Sequence, residues 1–207
     1  MGSDLVSSPS TIFSYGHQLQ KGQKISLEKE AGGSLTKIIM GLGWDAKKKK
    51  TFFGLGSKDQ EIDLDASCAL FDEQNQPVDI VFFGQLASRD GSIRHTGDNR
   101  TGAGDGDDEQ IVVDLSKVSP SVKSLVFVVN SFTGQSFAEI ENAFCRVING
   151  GNNQELAKYD LSCNGSHTAM VMAKVYRHNG EWKMHAIGDN TSGRTFQDLL
   201  PAMKASL

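Results

Sequence analysis

Apolar and polar residues alternate along most of this chain with a period of two, the spacing that puts successive side chains on opposite faces of a β-strand. EIDLDASCALF, residues 61–71, is the clearest case. Ile62, Leu64, Ala66, Cys68 and Leu70 take one face, and Glu61, Asp63, Asp65 and Ser67 the other. The same alternation predicts strands in QKISLE (23–28), LTKIIMGLGW (35–44), VDIVFF (78–83), EQIVVDL (109–115), NAFCRVIN (142–149), ELAKYDL (155–161), HTAMVMAKVYR (167–177) and EWKMHAIG (181–188). KSLVFVVN (123–130) is continuously apolar and β-branched, which predicts a strand buried on both faces. Only the last stretch reads as a helix. In GRTFQDLLPAMKASL, Phe196, Leu199, Leu200 and Met203 follow i, i+3, i+4, i+7 spacing, and Thr195 with Asp198 forms a capping pair. Pro201 is expected to kink that helix. About ten short strands separated by turn residues predict an all-β protein: a two-sheet β-sandwich with a short C-terminal helix.

A chain of 207 residues can fold as one sandwich domain, expected here over 19–207, after a Ser-, Gly- and Pro-containing leader at 1–18 that is expected to be flexible. The leader has neither a basic n-region nor an apolar h-region, and no apolar run reaches about 18 residues, so neither a secretory signal nor a transmembrane segment is expected. A net charge of −4 argues against direct nucleic-acid binding. Three cysteines, odd in number and far apart, do not make a disulfide framework, and a cytoplasmic location is expected. Cys68 and Cys145 fall on core faces and are expected to be inert, whereas Cys163, in LSCNGS, is expected to be exposed. The Lys47–Lys50 run reads as a solvated hairpin tip, with docking to an acidic partner or membrane surface as its functional alternative.

The chemistry concentrates in HTGDNRTGAGDGDDE, residues 95–109, which carries five carboxylates and four glycines. Carboxylates this close repel one another unless something neutralises them. Hard cations such as Ca²⁺ take six to eight oxygen ligands, and Asp98, Asn99, Asp105, Asp107, Asp108 and Glu109 supply them while the glycines let carbonyls turn inward. With no His/Cys cluster alongside, zinc and copper are not expected. An EF-hand does not fit, because Ala103 stands where its glycine would and no flanking helices are readable. A phosphate cradle is weak, because Asp107 replaces the third glycine of the dinucleotide pattern. A solvated acidic loop is the bland alternative. Against it stands a second segment: Asp63 and Asp65 lie side by side on one strand face, which makes a constellation of two acidic motifs. GDNTSG at 188–193 echoes GDNRTG at 97–102 without an acidic cluster and reads as a turn before the helix.

DLDAS and HTGDNRTGAGDGDDE together resemble the TerD family of tellurite-resistance and stress-response proteins, and GLGWD (41–45), NAFCRVIN (142–149) and YRHNGEWK (176–183) fit it as well. The resemblance spans about residues 19–200, and the insert containing Lys47–Lys50 is similar to the TerZ/TerX-like branch. It implies a β-sandwich and calcium binding, with metal ligands at Asp63, Asp65, Asp98, Asn99, Asp105, Asp107, Asp108 and Glu109. Seven carboxylates plus Asn99 and turned-in carbonyls exceed the six to eight ligands one ion takes, so two neighbouring calcium ions are expected. The implied function is a non-enzymatic, calcium-ordered interaction module whose partners are other stress-response proteins. The alternative is a divalent-metal-dependent phosphoryl-transfer hydrolase using the same acidic cluster. Direct tellurite chemistry at Cys163 is a third reading.

Overall fold

Each alternating segment contributes a strand, though not over its whole length. A computed structural model describes residues 16–46, 63–97, 106–161 and 165–207. In chain order the elements are β1 (His17–Leu19), β2 (Lys24–Ser26), the one-turn helix α1 (Leu27–Glu30), β3 (Lys37–Ala46), β4 (Leu64–Asp72), β5 (Pro77–Val81), β6 (Ile93–His95) and β7 (Glu109–Asp114). Then follow β8 (Val122–Ser131), a 3-10 turn (Phe137–Glu139), β9 (Ile140–Asn149), β10 (Glu155–Asp160), β11 (Ala169–His178), β12 (Glu181–Thr191) and the helix α2 (Phe196–Ala205).

The strands form two six-stranded sheets, ordered β1-β10-β9-β3-β7-β6 and β2-β12-β11-β8-β4-β5. All neighbours are antiparallel except β1 and β10. The inner faces meet in one large apolar cluster: Ile38, Met40, Leu42 and Trp44 of β3 and Ile111 and Val113 of β7 face Leu64, Ala66, Cys68 and Leu70 of β4 and Leu125, Phe127 and Val129 of β8. Sheet-on-sheet burial of this kind drives the fold. β8 is buried on both faces because α2 lies on the outer face of the second sheet, where Leu199 and Met203 pack on Ala69, Phe71, Val126 and Val128.

Several details differ from the sequence expectation. β1 starts at His17, so the leader boundary at residue 18 falls inside a strand. β1 and β6, of three residues each, lie outside the alternating segments, and the QKISLE strand ends at Ser26, which caps α1, so Leu27 and Glu28 are helical. GDNTSG is not a turn: β12 runs through Thr191, with Gly188 at φ +65° beside a register shift in the β11–β12 pairing. α2 continues through Pro201, which is exposed. The proline deprives the Gln197 carbonyl of its partner on the solvent side, where water can replace it, while the buried side holds the helix. Among the described residues no helix is long and apolar enough to cross a membrane.

Candidate metal centre

Strand alternation places Asp65 and Ser67 on the outer face of β4, opposite the core residues Leu64, Ala66 and Cys68. Asp65 is 5% exposed and stands across from Asn130 of β8. Asp63 immediately precedes the strand. Next to Asp65 and Ser67, a cavity of about 220 Å³ opens between β4 and the start of α2, walled by Phe82, Phe83, Phe196 and Arg194.

Glu109, the first residue of β7, points inward with Ile111 and Val113. β5 pairs with β4 only from Cys68 onward, which leaves the Ala66 N–H beyond the ladder. That N–H donates to Glu109 Oε2 at 2.7 Å. Glu109 thus belongs to one sheet by its backbone and to the other by its carboxylate. His95 of β6 is buried beside it, with Nε2 3.3 Å from Glu109 Oε2. His95 Nδ1 accepts the Gly97 N–H at 3.1 Å, so in the neutral ring the proton sits on Nε2, facing the carboxylate.

Asp107 and Asp108 are held elsewhere. Asp107 lies over the outer face of the first sheet, where Arg146 Nε donates to Oδ1 at 2.7 Å and Gln110 Nε2 to Oδ2 at 3.0 Å. Asp107 and Glu109 therefore point to opposite sides of the sheet. Simple alternation puts them together, but β7 begins only at Glu109 and the chain before it is not strand. The Asp108 N–H donates to Leu42 O at 2.8 Å, and its Oδ2 accepts the Trp44 N–H at 2.9 Å. Burial pushes the Asp108 carboxyl upward from its ordinary value; Asp45, Asp107 and Glu109 push the same way against the Trp44 hydrogen bond.

The Glu109–Ala66 contact therefore brings the two acidic motifs together at one end of the sandwich. Asp98, Asn99 and Asp105 lie outside the described residues, in the connection that leaves β6 after His95 and re-enters at β7. Among the described residues, no three His, Cys, Asp or Glu side chains group closely enough to hold an ion. The donor chemistry of both motifs, carboxylate and amide oxygen, fits a hard cation. Sequence reasoning missed Arg146, Gln110 and the Trp44 backbone as partners of these carboxylates. One signal was available: Gly41 and Gly43 alternate within a strand, a mark of close backbone approach.

The other candidates are quieter. Cys68 and Cys145 are free and buried; burial pushes the Cys145 thiol up to about 12 and the Cys68 thiol higher still, so neither supplies a thiolate. Cys163 and Lys47–Lys50 lie outside the described residues. Asp189 of the GDNTSG stretch pairs with Lys21 at 2.8 Å.

A TerD domain matches residues 15–201. The chain belongs to the TerD family. Among TerD-family relatives, it is 47% identical over 182 residues to the tellurium resistance protein TerZ of Serratia marcescens, covering 87% of this chain and 93% of that one. It is 41% identical over 192 residues to the stress response protein SCP2 of Bacillus subtilis, covering 88% and 96%. The crystal structure of a homologue of the telluride resistance protein TerD from Streptomyces coelicolor shares the fold, with a TM-score of 0.66 at 22% identity over 83% of this chain and 98% of that one.

Proposed function

We propose that this TerD-family chain is a calcium-binding stress-response module, working in the cytoplasm by presenting an ion-ordered surface to other stress proteins rather than by catalysis. The observation that carries this is the joining of two acidic motifs: Glu109, at the end of the acidic segment, is bound to the backbone of β4 one residue from the buried Asp65. Buried carboxylates held together favour a cation, because the low-dielectric surroundings strengthen their mutual repulsion. Asp63, Asp65, Asp98, Asn99, Asp105, Asp108 and Glu109 are the oxygen donors on this reading. The ion supplies charge neutralisation and ties the acidic segment to β4. Two divalent ions offset the charge of the six carboxylates better than one.

Calorimetric titration of chelator-treated protein tests this, with saturation expected near two Ca²⁺ per chain and Mg²⁺ binding more weakly. Saturation at one ion removes the pair, and no heat with either ion removes the reading. A hydrolase is the rival, and a screen of phosphomonoesters and phosphodiesters with Ca²⁺, Mg²⁺ and Mn²⁺ separates it: metal-dependent turnover lost in Asp65→Ala would establish the enzyme. The tellurium connection belongs to the relatives. Direct oxyanion binding at an acidic site is opposed by charge, and Cys163→Ser is expected to leave tellurite resistance unchanged in a strain that depends on this protein.

A further inference from the structure

We propose that Asp107 is a positioning residue and not an ion ligand: with Arg146 and a glycine notch on β3 it latches the returning end of the acidic segment to the first sheet. Gly41 and Gly43 are neighbouring outward positions of β3, because Met40, Leu42 and Trp44 point into the core. Residues 106 and 107 cross directly over both glycines. A Cβ on Gly41 would collide with the Asp107 carboxylate, and one on Gly43 would meet the Phe144 ring at 2.5 Å and stand 2.7 Å from the Gly106 carbonyl oxygen. The two strand neighbours of Gly41 are Gln110 on β7 and Arg146 on β9. These same two residues donate to the Asp107 oxygens, at 3.0 and 2.7 Å. The notch, the two donors and the carboxylate therefore form one unit built around a single register position.

The Asp107 side chain has no solvent exposure, and Arg146 holds it while also donating to Glu155 at 3.1 Å. An ion at Asp107 would have to displace a guanidinium already matched to the carboxylate, on the side of the sheet away from Glu109 and Ala66. What the latch fixes is the next residue: Asp108 follows with its N–H on Leu42 and its carboxylate on the Trp44 N–H. Asp107 so sets where the acidic segment returns to the sandwich, and Arg146 acts on the ion site through it.

The effect on ion affinity rests on the calcium reading; the latch itself does not. Arg146→Met separates the two roles by sign. If Asp107 is a ligand, removing its competing cation raises Ca²⁺ affinity. If it is the latch, affinity falls about tenfold or more, the usual scale for losing a supporting contact behind metal ligands. Asp107→Asn lowers affinity too, and the double variant is no weaker than the worse single one, because both break one unit. In calcium-free protein, hydrogen exchange at the Trp44 and Asp108 amides speeds up in Arg146→Met and in Gly41→Ala, which keeps the test open should either variant fold poorly. Raised or unchanged affinity, or unchanged exchange at both amides, overturns the latch. If the unaltered protein binds no Ca²⁺, the functional reading falls and the exchange arm alone decides the latch.

Discussion

The two sheets present outer faces of opposite character. The second carries Ala69, Phe71, Val126, Val128, Ala169 and Val171, and α2 covers them with Leu199 and Met203. The first, over β9, β3 and β7, carries Arg146, Gln110 and the glycine notch, and it is crossed by the chain at Asp107. Both faces bury a carboxylate by different means. Asp107 is neutralised by a guanidinium, whereas Asp65 sits beside a cavity between strand and helix. An apolar outer face draws a helix over itself for burial. A polar one can instead be used to fix a loop through charge and register.

The largest expected effect breaks the helix-covered face. Leu199→Ala removes a fully buried side chain from the α2 contact and is expected to cost about 2–5 kcal/mol in denaturant unfolding. Val112→Ala, half-buried on the outer face of the first sheet, is expected to cost well under half of that. Equal losses would mean that α2 contributes little to stability.

Calcium dependence follows in size. An ion bound only to the folded state stabilises it by about 2.7 kcal/mol at a hundred times its dissociation constant, so chelation is expected to lower the melting temperature. Asp65→Ala is expected to abolish most of that difference. Asp189→Ala, whose carboxylate pairs with Lys21 instead, is expected to keep it. A melting curve insensitive to calcium would leave the two outer faces differing in structure alone.

A smaller effect tests how α2 is anchored. The Asp198 carboxylate accepts from the Thr195 N–H and hydroxyl and from the Arg194 N–H, each at 3.1 Å. Asp198→Ala is expected to cost about 1 kcal/mol, the usual weight of an N-terminal cap, read by thermal or chemical unfolding.

The smallest is a pH effect on the second sheet alone. Burial holds the His185 imidazole below its ordinary 6.5, and Lys24 and Lys174 on the neighbouring strands push the same way, against Asp189. A depressed folded value means that the unfolded chain binds the proton more readily. Its contribution is therefore complete above pH 6.5 and is lost as pH falls through the lower folded value. His185→Gln is expected to flatten the stability profile in that window, and an unchanged slope would assign the acid sensitivity elsewhere.

Much of the fold was legible in the alternation. The LDASCALF part of EIDLDASCALF became β4 with the expected faces, KSLVFVVN became the doubly buried β8, and the Phe196–Met203 stripe became α2. What escaped was short or depended on partners. β1 and β6, of three residues each, lie outside every alternating segment, and β12 runs through a stretch whose residues favour turns because β11 pairs with it there. The two acidic motifs were also legible, and the structure adds His95 beside the Glu109 carboxylate.

By itself, the sequence determined which face each long strand would bury, because a period of two is local and needs no knowledge of neighbours. It likewise determined that carboxylates concentrate in two motifs. Only the tertiary structure decided what those carboxylates contact. Asp107 and Glu109 are two residues apart, yet they lie on opposite sides of the first sheet, because pairing with β3 begins at Glu109 and parity has no meaning before it. Arg146 reaches Asp107, and Ala66 reaches Glu109, across 39 and 43 residues of chain. Such contacts are set by register and sheet packing, which are properties of the assembled sandwich and not of any single strand.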